Sequence, residues 1–147
     1  MKDWEREDRF AAKRGNVVLR RVGNLLYVGG HGPEDQLTGE ALYQGRIGTD
    51  LSVDTGYEAA RECARIITGA LKDYLGSLDR VESFVRVFAL VNCGEGFHEI
   101  DHVMDGFSDF IMEVFEERGY HARTAMGTHN LPNGNIPCEF EVIVRIR

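Results

Sequence analysis

The chain has 147 residues, enough for one domain with a substantial core. Its 43% hydrophobic and 28% charged residues are the composition of an ordinary soluble globular protein. A net charge of -7 speaks against nucleic acid or an anionic membrane surface as the partner, because both ask for a basic face.

Residues 1–16 read as a polar arm, charged along most of its length with Trp4 and Phe10 inserted, and nothing in it resembles a secretory leader. Residues 17–147 read as a single domain. No apolar run approaches the roughly 20 residues that a membrane span requires. The three cysteines, Cys63, Cys93 and Cys138, are odd in number and lack metal-ligand spacing. Cys63 and Cys138 fall in apolar patterns and are expected as buried free thiols, which fits a reducing, cytoplasmic compartment.

In chain order, residues 17–21 and 25–30 form two strands joined by Gly23-Asn24. The second ends in Gly29-Gly30-His31-Gly32-Pro33, where glycine lets a ligand or another chain approach the backbone. Residues 34–50 form a loop long enough to suggest a functional or interface role. Ser52 caps a helix, with Thr55 and Glu58 as a second capping candidate. Tyr57, Ala60, Ala64, Ile67, Leu71 and Leu75 give that helix one buried face, and Gly76 ends it. Residues 81–92 form the clearest strand. Strict alternation puts Val81, Val85, Val87, Ala89 and Val91 on one side, and Phe84, Phe88 and Leu90 with Arg86 on the other. A second helix carries the stripe Phe97, Ile100, Met104, Phe107, Ile111 and Val114, and Gly119 closes it. Residues 121–147 then alternate on both sides of Asn133-Gly134, which predicts a hairpin. In its second arm Cys138, Phe140, Val142, Val144 and Ile146 form a core face, while Glu139, Glu141 and Ile143 share the other.

The order β-β-α-β-α-β-β makes an α+β domain with one mixed sheet and two helices. Two helices cover only one face of such a sheet. The apolar residues on the other face therefore predict packing against further copies of the chain. His98-Glu99-Ile100-Asp101-His102 matches a zinc signature literally. Both histidines point away from the apolar stripe, however, and no third ligand is evident, so no metal is expected.

Several stretches together resemble the Rid family of reactive-intermediate deaminases, also called YjgF-like. They are Leu25-Leu26-Tyr27-Val28-Gly29-Gly30 with its following Gly-Pro, Gly48-Thr49-Asp50-Leu51, Gly56-Tyr57-Glu58-Ala59-Ala60-Arg61 and Leu78-Asp79-Arg80-Val81. His121-Ala122-Arg123-Thr124-Ala125, Leu131-Pro132 and Glu139-Phe140-Glu141-Val142 complete the set, in the right order.

The resemblance implies a chorismate-mutase-like fold and a homotrimer with clefts between subunits. It also implies cofactor-independent hydrolysis of imine or enamine intermediates, such as 2-imino acids, to 2-oxo acids and ammonia. Carried over, Arg123 would hold a small metabolite's carboxylate, Gly29-Gly30 the reacting group, and Glu139 the water. His31, Ala125 and Asp105 would stand nearby. The better-known members have a cysteine at the position of Ala125, an asparagine at that of Asp105, and a Gly-Pro-Tyr segment that is missing here. If the last two strands form a hairpin, Arg123 and Glu139 lie about 20 Å apart, and only different subunits could bring them together. The rival readings are a non-catalytic module that binds small carboxylates and an endoribonuclease.

Overall fold

The structure, a computed structural model, describes residues 16–147. Apart from Asn16, the arm expected at residues 1–16 lies outside the described residues. Strands β1 (Leu19–Val22) and β2 (Leu25–His31) pair antiparallel, with Val22 opposite Leu25. Gly23 takes φ 61° at the first position of the two-residue turn, the place where a II′ connection demands glycine.

Helix α1 (Val53–Leu75) starts where the Ser52 hydroxyl accepts the Thr55 N–H at 3.1 Å. It ends at Gly76, whose left-handed backbone lets its N–H reach the Lys72 carbonyl. The Thr55–Glu58 alternative is not used. Ala59, Ala60, Cys63, Ala64, Ile67 and Leu71 are buried along one side. Helix α2 (Ile100–Phe115) buries Val103, Met104, Phe107, Ile111 and Phe115. Val114, expected in the stripe, is exposed, and Phe115 takes its place. The helices meet at Gly106, where any side chain would run into the Tyr57 carbonyl. Tyr57 donates to Asp109 at 2.6 Å, and Arg61 grips Glu113 with both ends of its guanidinium at 3.0 and 2.8 Å.

Strands β3 (Val81–Asn92), β4 (Ala122–Thr128) and β5 (Cys138–Ile146) complete a sheet of order β1-β2-β5-β3-β4, in which only β3 and β4 are parallel. The last two strands are therefore no hairpin, because β3 lies between them. Asn133, Gly134 and Asn135 do turn sharply, all at positive φ, but residues 129–137 carry the chain across the end of β3. Buried Asn92 fastens that crossing by donating to Asn135 Oδ1 at 2.8 Å and to the Ile136 carbonyl at 3.1 Å.

Strand β3 also breaks strict alternation. Bulges between Val81 and Ser83 and between Phe84 and Arg86 turn Phe84 into the core beside Phe115 and leave Val85 exposed. Phe107 stacks on Phe140 with centroids 4.4 Å apart. Both helices pack on this face. The opposite face keeps Phe88, Leu90 and Ile143 half-buried and leaves Tyr27 and Met126 exposed by 45% and 52%.

Candidate functional site

The residues singled out in the sequence divide into two groups. Glu139 alternates with the buried Cys138 and Phe140 and pairs with Leu90, so it projects from the face without helices. There it lines a cleft of about 410 Å³ with Gly29, Gly30, His31 and Glu34. A bulge between Val28 and His31 breaks the β2–β5 ladder at the two glycines. A Cβ on Gly30 would collide with the Glu139 carboxylate, whereas one on Gly29 would meet only the Val18 and Val17 carbonyls, at 3.5 and 3.7 Å. Glycine at position 30 thus lets the carboxylate lie directly on the β2 backbone. Burial raises the Glu139 pKa, and the negative charges of Glu34 and Glu141 raise it further. Asn133, from the crossing segment, donates to Glu34 Oε1 at 2.8 Å and ties the wall of the cleft to the turn after β4. The Gly29 carbonyl can only accept, so His31 carries its proton on Nδ1, which donates to that carbonyl at 2.7 Å.

Arg123 pairs with Val87 and so leaves the other, helix-covered face, at the edge of the sheet. Its Nη1 donates to Asp105 Oδ1 at 2.8 Å and to Ser108 Oγ at 3.1 Å, and its Nη2 stands 3.5 Å from Asp101. Asp105 is therefore a partner of the arginine, and its charge is balanced. Ser108 Oγ lies 3.0 Å from His121 Nε2, and His121 Nδ1 lies 2.6 Å from the Gly119 carbonyl. Burial lowers the His121 pKa; the Arg123 charge lowers it too, partly opposed by the bond to Gly119. Ser108, Met112, Tyr120, His121 and Arg123 line a hollow of about 270 Å³. Ala125 pairs with Ala89 and packs against the core on the same side as Arg123.

Arg123 and Glu139 are separated by three positions along β3 and by two strands, about 10 Å in each direction, besides lying on opposite faces. This replaces the longer separation expected from a hairpin. Sequence reading missed Glu34, Ser108, Asp101 as an arginine partner, and the role of His121. The only local hint was the histidine two residues before the arginine. The zinc-like segment is not one helical face, because α2 begins at Ile100, after His98. His102 stacks on Tyr57 and stands 4.0 Å from Asp54. Among the described residues no group of three or more metal-ligating side chains forms, and no helix is long and apolar enough to cross a membrane.

Comparison with known proteins adds to this geometry. Residues 7–142 match the family described as "YjgF/chorismate mutase-like, putative endoribonuclease". Protein TCP17 of Trypanosoma cruzi is 40% identical over 113 residues, which is 76% of this chain and 69% of that protein. The solved structure of Atu1372 from Agrobacterium tumefaciens, titled as of unknown function, superposes with a TM-score of 0.86 at 33% identity, covering 91% of this chain and 83% of that one. A structure from Shewanella oneidensis titled "putative endoribonuclease" gives 0.83 at 28% identity, over 98% and 99% of the two chains.

Proposed function

Because this chain belongs to the YjgF/Rid-like, chorismate-mutase-like family, we propose that it hydrolyses reactive 2-imino acids, or their enamine tautomers, to 2-oxo acids and ammonia. The reaction runs in clefts between the subunits of a homotrimer, without a cofactor. The observation that carries this reading is Glu139, a half-buried carboxylate laid against the Gly30 backbone with its proton affinity raised. A carboxylate whose proton affinity is raised is a stronger general base than an ordinary one. Water bound to Glu139 gives up a proton to it as the oxygen bonds to C2, and the imine nitrogen, protonated, takes the C=N electron pair. The carboxyl then returns its proton to that nitrogen. The C–N bond breaks, ammonia leaves, and loss of the hydroxyl proton forms the ketone. Arg123, with its planar fork, holds the substrate carboxylate. The apolar helix-free face supports assembly, since a second copy would cover Tyr27 and Met126.

The test generates the imine in place with an amino-acid oxidase and follows loss of its absorbance and release of ammonia. Wild type accelerates both, and Glu139→Gln loses about a hundredfold or more. An Arg123→Ala protein as active as wild type would remove Arg123 from the mechanism. One observation favours a second reading: the Arg123 fork is already engaged by Asp105 at 2.8 Å. An arginine shared with Asp105 suits weak, reversible carboxylate binding rather than the firm orientation that turnover needs. Calorimetric binding of a 2-oxo acid, with no acceleration of imine loss, would establish it. Cleavage of RNA by rigorously purified protein, abolished by Glu139→Gln, would instead favour a ribonuclease.

A further inference from the structure

A single hydrogen-bonded chain runs from the backbone of the turn that follows α2 to the arginine on β4. The Gly119 carbonyl can only accept, so His121 Nδ1 donates to it at 2.6 Å and carries the ring proton. In the neutral ring Nε2 is then a bare acceptor, and the Ser108 hydroxyl, 3.0 Å away, donates to it. That orientation turns the hydroxyl's lone pairs towards Arg123, whose Nη1 donates to Ser108 Oγ at 3.1 Å. Each link has one direction, and each is set by the link before it.

We propose that Ser108 and His121 are positioning residues for Arg123, and that neutral His121 holds the guanidinium in the pose that receives a ligand carboxylate. The proposal rests on the reading of Arg123 as the carboxylate anchor. Met112, Tyr120 and Ser108, all neutral, line the same hollow as His121. The charge facing it is Arg123 on β4, and behind that stand Asp105 and Asp101 on α2. Protonation of His121 would turn Nε2 into a donor, take away the acceptor that orients Ser108, and place a second cation beside the guanidinium. Burial resists this and so does Arg123, with the bond to the Gly119 carbonyl partly opposing them, so the chain stays intact at neutral pH and opens on acidification.

The experiment measures KM and kcat for imine hydrolysis, and separately the Kd for pyruvate by calorimetry, from about pH 5 to 8. Wild type, Ser108→Ala, Ser108→Thr and His121→Gln are compared as full chains. Ser108→Ala raises KM and the pyruvate Kd about fivefold, as loss of one hydrogen bond would, with kcat little changed, and Ser108→Thr restores both. Wild-type KM and Kd rise on acidification, while those of His121→Gln stay flat. Unchanged constants in Ser108→Ala, together with a wild-type Kd flat with pH, overturn the proposal. Failure of turnover with pyruvate binding intact sinks only the deaminase reading, and the pyruvate constants still decide the positioning roles. If pyruvate binds neither wild type nor Arg123→Ala, both readings fall.

Discussion

Arg123 and Glu139 leave opposite faces of one sheet: Arg123 is paired with Val87 on the helix-covered side, Glu139 with Leu90 on the side without helices. Each has its own neighbours: Asp105 and Ser108 hold Arg123, and the Glu139 carboxylate lies against Gly30. No side-chain rotation carries one through the sheet to the other. On the proposed reading, a ligand held by both lies where two copies meet.

Asp105 partly occupies the arginine proposed to anchor the substrate carboxylate. Its side chain is 48% exposed and that of Arg123 is 24% exposed, so the pair is partly screened by solvent. Replacing Asp105 by Asn keeps the shape and removes the competing charge. Asp105→Asn is expected to tighten pyruvate binding about two- to fivefold, and isothermal titration reads the change.

Gly29 and Gly30 should respond differently to the same small substitution. Gly29→Ala places its methyl in ordinary contact with two carbonyls, and activity should hold. In Gly30→Ala the methyl displaces the Glu139 carboxylate, so kcat should fall by tenfold or more, while stability should change little because the end of a flexible side chain gives way into the cleft. Steady-state rates and denaturant midpoints for the pair test the contrast.

Glu139 should also mark the pH dependence of stability. Its folded pKa is raised above the ordinary carboxylate value, so the folded state holds this proton more tightly than the unfolded chain. Stability is therefore highest, for this group, below the unfolded pKa. It falls as pH rises from there through the folded pKa and is then level. Glu139→Gln is expected to raise Tm at neutral pH, an advantage that disappears in acid. In wild type, kcat/KM should rise with pH as Glu139 ionises into its role as base. A variant that melts below wild type at neutral pH would contradict the assignment.

The sequence was most legible where one element repeats a pattern against one neighbour. The Ser52 cap, the alanine-rich face of α1 and the alternation of β5 are local, and all appear as read. The route after β4 was not legible, because Asn133-Gly134 turns the chain equally well in a hairpin or in a crossing tied down by Asn92. Nor were the two bulges at Val81–Ser83 and Phe84–Arg86, which together exchange the faces of Phe84 and Val85 and leave Val81 in the core. Of the site, Glu139 and the glycines lie together because strand pairing places them. The chain of Gly119, His121, Ser108 and Arg123 depends on how α2 docks beside β4, and helical periodicity carries no trace of it.

Mixed assemblies test the shared cleft most directly. Arg123→Ala and Glu139→Gln subunits, each nearly inactive alone, are unfolded together in equal amounts, refolded and assayed for imine hydrolysis beside wild type. With random mixing in a ring, about a quarter of the clefts receive an intact arginine from one subunit and an intact glutamate from the next. Recovery of about that fraction of wild-type activity is the predicted result; a mixture no more active than its two parents would contradict it.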